Sequence, residues 1–189
     1  IEGTENEEMA EIVIKEINCP VVRNLGLQHF MFPELLKASS ARGSDGFLLN
    51  IMIVGPAGSG KSTGVKNVAD ALQQDFRADS SLDADYKVIG YRDANGIVWP
   101  TLLREAYENG YTYCADEIDN WFPSACLALN PAIANGYCSF PDKIITRHKN
   151  FRIIACANTW GLGATGDYVG RNRLDAATLD RFSQLEWPI

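Results

Sequence analysis

Residues 47–54, FLLNIMIV, form an apolar run that ends in Gly55-Pro56-Ala57-Gly58-Ser59-Gly60-Lys61-Ser62-Thr63, and a helix-like stretch over 61–74 follows. This strand–turn–helix arrangement constrains the fold more than any other feature of the chain. The spacing is G-x-x-x-x-G-K-[ST], in which glycines let backbone N–H groups turn inward around phosphate oxygens. The helix start adds its partial positive charge to the same spot. Lys61 is placed to reach the β- and γ-phosphates of a nucleotide, and the Ser62 hydroxyl to meet Mg²⁺. An ordinary glycine-rich turn would not need the lysine and hydroxyl at those positions.

Around this motif, apolar runs alternate with helix-like patterns, which predicts an α/β domain whose parallel sheet is covered on both faces. Strands are expected at 47–54, 86–92, 111–116, 151–158 and 183–187, and helices at 61–74, 99–108, 123–134 and 176–182. Asp175 is a candidate N-cap for the last helix. Residues 136–149 place Pro141-Asp142 between YCSF and IITR, a pattern for a β-hairpin.

Three further signals carry chemistry. Tyr111 begins a mostly apolar segment that ends in adjacent acids, Asp116 and Glu117. Asp116 is read as a holder of the Mg²⁺ hydration shell and Glu117 as the group that polarises a water, although an Asp-Glu pair also serves simple turns. Asn158 ends the strand FRIIACAN, where its amide either orients the attacking water or serves the turn that follows. Arg181 sits beside Phe182 at the end of a short helix. It either stabilises phosphoryl transfer in a neighbouring subunit or pairs locally with Asp175 or Asp180.

The net charge of −7 is concentrated at the start: Glu2, Glu5, Glu7, Glu8, Glu11 and Glu16 oppose only Lys15, leaving −2 for the remainder. The reading is an acidic lead-in over 1–17 before a core over 18–189, without the basic field of a domain held by nucleic-acid backbone. At 46% hydrophobic and 22% charged, the chain is neither disordered nor low in complexity. No apolar run is long enough for a membrane helix, and no signal-peptide pattern opens the chain, so no membrane partner and no secretion are expected. The five cysteines form no C-x-x-C pair, which argues against zinc and for a reduced, cytoplasmic location. Because the chain begins at Ile1, it is read as a piece of a longer protein.

Taken together, GPAGSGKST, YCADEID, HKNFRIIACANT and LDAATLDRF resemble, in order and spacing, the AAA+ ATPases, most closely the MoxR-type and midasin/dynein-related branch. The resemblance spans about residues 45–189. It implies a P-loop three-layer sandwich with a five-stranded parallel sheet in the order 5-1-4-3-2 and a β-hairpin inserted before the fourth strand. It also implies ATP or ADP bound at residues 55–63 and Mg²⁺ at Ser62 and Asp116. By the same resemblance Glu117 is the catalytic glutamate, Asn158 the first sensor and Arg181 the arginine finger, with Arg171 and Arg173 as rivals for that last role. A homo-oligomer, a hexameric ring in the full-length protein, would then use ATP hydrolysis to remodel an unidentified protein partner. Alternatives on the same core are a nucleic-acid translocase or nuclease-associated motor, and a nucleotide-gated assembly module without turnover. A small-molecule kinase fits less well, because it gives no reason for the D-R-F helix. Two departures stand out: a Gly-rich connection over 160–173, and no helical lid with its second sensor arginine before Ile189. The lid's absence from this sequence implies an open site, weak nucleotide binding and a mostly monomeric piece. The adenine pocket is expected near residues 21–27.

Overall fold

The computed structural model describes residues 11–16, 19–164, 166 and 168–189. Of the expected lead-in, residues 1–10 and 17 lie outside the described residues. Residues Glu11–Glu16 (β1) pair antiparallel with Cys19–Asn24 (β2). Helix α1 (Phe32–Ser40) leads to β3 (Ile51–Val54), α2 (Lys61–Ala71) and β4 (Phe76–Ser80). Next come the single turn α3 (Tyr86–Ile89), a small hairpin of β5 (Tyr91–Arg92) and β6 (Val98–Trp99), and α4 (Leu102–Asn109). Strand β7 (Thr112–Asp116) runs into a 3-10 turn (Ile118–Asn120) and α5 (Pro123–Ala134). A second hairpin, β8 (Tyr137–Ser139) with β9 (Ile144–Thr146), precedes β10 (Arg152–Ala157), α6 (Ala176–Leu179) and β11 (Ser183–Glu186).

The main sheet has the order β11-β3-β10-β7-β4 with every pair parallel. Numbered along the chain, that is the 5-1-4-3-2 order expected, with the hairpin just before the fourth strand. Successive side chains of a strand point to opposite faces. Accordingly Met52, Val54, Tyr113, Ala115, Ile153 and Ala155 join the core under α3, α4 and α5, whereas Ile51, Ile53, Cys114, Ile154 and Cys156 join the core under α1 and α2. The central strands are buried on both faces, which is why they read as continuous apolar runs.

One strand differs from the expectation. The second strand of the sheet is 76–80, FRADS, and not 86–92. The reason is its edge position, where only β7 pairs with it. Its polar side chains find partners across the edge: Arg77 makes a two-pronged ion pair with Glu105 of α4 (2.7 and 2.9 Å), and Asp79 accepts from the Tyr113 hydroxyl (2.8 Å). The aromatic and β-branched YKVI segment becomes a helical turn because Asp85 caps it and Gly90 stops it at φ 86°. Elsewhere boundaries shrink: the first strand begins at Ile51, and α4 at Leu102 behind its Thr101 cap. Asp175 caps α6 as expected, accepting from the Ala177 N–H.

Gly110 ends α4 at φ 80°, and a Cβ there would come 2.0 Å from the His148 ring. Gly96 has a similar φ of 81° but open space around it. Gly110→Ala is therefore expected to destabilise by about 2–4 kcal/mol, the sum of left-handed strain and overpacking, and Gly96→Ala by only about 1 kcal/mol. Chemical denaturation of the two variants checks this, and equal losses would show that the His148 contact carries no cost.

Candidate functional site

The site forms where β3, β7 and β10 end at the carboxyl edge of the sheet, the usual ligand side of an open α/β fold. Gly55 follows β3 directly, and a Cβ there would lie 1.8 Å from the Trp187 carbonyl oxygen, so only glycine lets the chain after β11 cross at this point. Trp187 then braces the loop. Its N–H donates to Val54 O (2.7 Å), its Nε1 to Ser59 O (2.9 Å), and its ring lies against Gly64 on one side and stacks on His29 on the other. Gly58 and Gly60 adopt φ of 79° and 78° with nothing within 4 Å of a Cβ, leaving an open cradle of backbone at the start of α2.

Lys61 is mostly buried and donates to Gly55 O (2.8 Å), Pro56 O (2.7 Å) and Asn158 Oδ1 (2.8 Å). Burial pushes its ammonium below its ordinary pKa. Ser62 Oγ donates to Asp116 Oδ2 (2.8 Å) across the same opening. Glu117 turns out of β7 in a left-handed conformation, φ 48°, that carries its side chain to the same side. There it accepts from Ser81 Oγ (2.9 Å) and Arg171 Nη2 (3.2 Å). Burial alone would raise the Glu117 carboxyl, but these two hydrogen bonds, with the charges of Arg171 and Lys61, overcome it and hold the group below its ordinary value. Lys61, Ser62, Asp116, Glu117 and Asn158 thus line one cavity of about 480 Å³ with Ala57, Gly58, Gly60 and Thr63. Hydroxyl and carboxylate oxygens facing one opening are the hard donor set that Mg²⁺ favours, and the open backbone cradle suits an anion.

Arg181 does not join this group. It lines a separate cavity of about 310 Å³ with Asp45, Asn50 and Arg147, and its Nη1 donates to Ala177 O. Among the described residues neither Asp175 nor Asp180 pairs with it. Of the segment over 21–27, residues 21–24 belong to β2, and Leu25 packs against the core under α1 and α2.

Four contributors were not legible as site residues. Asp119 is fully buried, and its Oδ2 accepts from Asn158 N–H, Thr159 N–H and Thr159 Oγ1, each at 3.0 Å. Ser81 follows an unrecognised strand. Tyr168 comes from the Gly-rich connection, and its Oη accepts from the Ala57 N–H (3.0 Å). Trp187 gave one sequence signal, a bulky aromatic before Pro188 at the end of the last strand. Arg171, a rival finger in the sequence, instead faces Glu117 and Asp119 of its own chain.

The model of a family described as "AAA domain (dynein-related subfamily)" matches residues 50–182. Among solved structures, NtrX from Brucella abortus superposes with a TM-score of 0.61 at 15% identity, over 87% of this chain and 37% of its own. The complex of NtrX with ADP gives 0.59 at 14% identity over 84% and 35%, and a putative ATPase from Cytophaga hutchinsonii 0.57 at 19% over 82% and 44%. The chain therefore spans less than half the length of these structures, and at such identities they share its fold alone. No curated protein sequence matches it.

Removing the Asp119 carboxylate would leave three donors and Nη1 of Arg171 without their acceptor in a buried place. Asp119→Ala is expected to destabilise by about 3–5 kcal/mol. Asp119→Asn keeps one acceptor oxygen and should lose less. Denaturation curves decide it; a loss below about 1 kcal/mol for the alanine variant would mean that the network is not needed.

Proposed function

From the premise that this chain belongs to the AAA domain family of the dynein-related subfamily, within the AAA+ P-loop ATPases, we propose that it binds ATP or ADP with Mg²⁺ and hydrolyses ATP. We place it as the core of an oligomeric motor, a ring of like subunits that remodels a protein partner in the cytoplasm. The observation that carries this reading is the convergence of Lys61, Ser62, Asp116, Glu117 and Asn158 on one opening, from segments far apart in sequence. The ADP complex of NtrX, a protein of the same fold, supports the choice of nucleotide.

In this account the amides of residues 58–63 bind phosphate oxygens, and Lys61 supplies the point charge that the cradle lacks. Lys61 now satisfies itself on two carbonyls and an amide oxygen, and a phosphate offers it a charged acceptor instead. Mg²⁺ held by Ser62 and Asp116 would neutralise phosphate charge and orient the nucleotide. Glu117 accepts the proton of the attacking water, and Asn158 keeps that water and Lys61 in register. Arg181 acts in the neighbouring subunit, a role supported by its place in a cavity away from its own chain's cradle.

Two cations of the β8–β9 hairpin region are engaged within the chain, which favours the protein-partner reading over the nucleic-acid alternative. Arg147 is buried beneath Phe47 and Phe151, and Lys143 is paired with Glu108 at 2.5 Å. An assembly module without turnover would not need Glu117 poised at the opening. Among the described residues Cys114, Cys126, Cys138 and Cys156 are free, and no helix is long and apolar enough to cross a membrane.

Lys61→Ala is expected to abolish nucleotide binding in a fluorescence titration. Glu117→Gln should keep binding while turnover falls by about 10²-fold or more, the scale of a lost general base. Parental turnover in Glu117→Gln would reject the assignment of the base.

Arg181→Ala should leave nucleotide affinity nearly unchanged and lower hydrolysis by up to ~10³-fold. Mixing Arg181→Ala with Lys61→Ala subunits should restore activity at mixed interfaces. Absence of rescue at every ratio, with assembly verified, would make Arg181 a structural residue.

A further inference from the structure

The connection over 160–173 is the largest sequence feature that the proposed mechanism leaves without a task. Its last part is tied to the site from both sides. Tyr168 Oη accepts from Ala57 N–H in the phosphate loop at 3.0 Å. Asn172 N–H donates to Asp119 O at 2.7 Å, and its Nδ2 donates to Trp121 O at 2.9 Å. Between these anchors Arg171 lies over the Tyr168 ring, 6.0 Å from its centroid, with its side chain 13% exposed. Its two terminal nitrogens divide between two carboxylates, Nη1 to Asp119 Oδ1 at 3.4 Å and Nη2 to Glu117 Oε1 at 3.2 Å.

We propose that Arg171 is a positioning residue that acts within its own subunit, holding Glu117 at the mouth of the cavity by bridging it to the buried Asp119. The two carboxylates differ in what they can do. Asp119 is fully buried and fixed by three other donors, whereas Glu117 is partly exposed, with a carboxylate that among the described residues is otherwise hydrogen-bonded only by the Ser81 hydroxyl. A planar guanidinium anchored on the first sets the height and direction of the second. Lysine carries the charge without the fork and reproduces this only in part. The same anchoring removes Arg171 from the contest for the arginine finger, because reaching a neighbouring subunit would mean abandoning both carboxylates and the contact with Tyr168. This inference rests on the reading of Glu117 as the base.

The test has three arms on the full chain. In the first, ¹⁵N NMR follows the Arg171 guanidinium in nucleotide-free protein, where Glu117→Gln should shift its side-chain resonances. No shift would mean that the pair does not form, whatever the chain does with ATP. In the second, Arg171→Ala should lower kcat by about 10- to 10²-fold, the scale of a misplaced reacting group, while the Kd of a fluorescent ATP analogue changes less than about threefold. Arg171→Lys should recover part of the loss, and Arg171→Ala should add nothing in a Glu117→Gln background. Unchanged kcat, or equal loss in the lysine variant, would overturn the proposal. In the third, mixing Arg171→Ala with Lys61→Ala subunits should give no gain over the residual activity of the Arg171→Ala subunits, where rescue would place Arg171 in trans. Failure of the wild-type chain to bind the analogue would count against the nucleotide reading, and the NMR arm would still decide the Arg171–Glu117 pair.

Discussion

The Asp119 carboxylate lies fully buried in the 3-10 turn after β7 and accepts from the first two N–H groups after β10 and from the Thr159 hydroxyl. A charge removed from water in this way must be paired and hydrogen-bonded to persist. Here the satisfaction of that requirement is what joins the two central strands at their functional edge. Because Asn158 is held through its own N–H, its Oδ1 meets Lys61 at 2.8 Å, and Lys61 in turn is drawn over the phosphate loop. Arg171 supplies the countercharge on the other carboxylate oxygen and extends the same network to Glu117. One buried acid thus links three of the groups that line the cavity, Asn158, Lys61 and Glu117.

A second constraint comes from the opposite side of the loop. Trp187 fills the space that Gly55 and Gly64 leave by having no side chain, and its indole N–H satisfies Ser59 O. His29 stacks on the same indole at 4.1 Å and bonds Pro188 O. The last strand and the segment before α1 therefore press together on the loop. The packing that stabilises the domain also holds the loop open where Gly58 and Gly60 face free space.

Much of this was legible in the sequence where chemistry demands fixed spacing or continuous apolarity. Residues 55–63, the Asp116-Glu117 pair and Asn158 fall where strands buried on both faces end, and the Pro141-Asp142 turn announced its hairpin. Strand β4 was hidden because an edge strand tolerates Arg77, Asp79 and Ser80, while the tyrosine- and valine-bearing run after it imitates a strand until Asp85 and Gly90 are taken into account. Asp119 read as one more turn acid, since nothing local distinguishes a solvated carboxylate from one buried by residues 39 to 52 positions away. The cis placement of Arg171 depends on how the Gly-rich connection folds back over the loop, which spacing alone does not determine.

The claim at the centre of this account is that the residues lining this opening form a nucleotide site. Hydrogen–deuterium exchange of the intact chain, with and without Mg²⁺ and a non-hydrolysable ATP analogue, tests it most directly. The account predicts that added protection concentrates on the amides of residues 58–63 and spreads to the segment around Glu117, Asn158 and Arg171. Protection elsewhere, or none at saturating analogue, would contradict it.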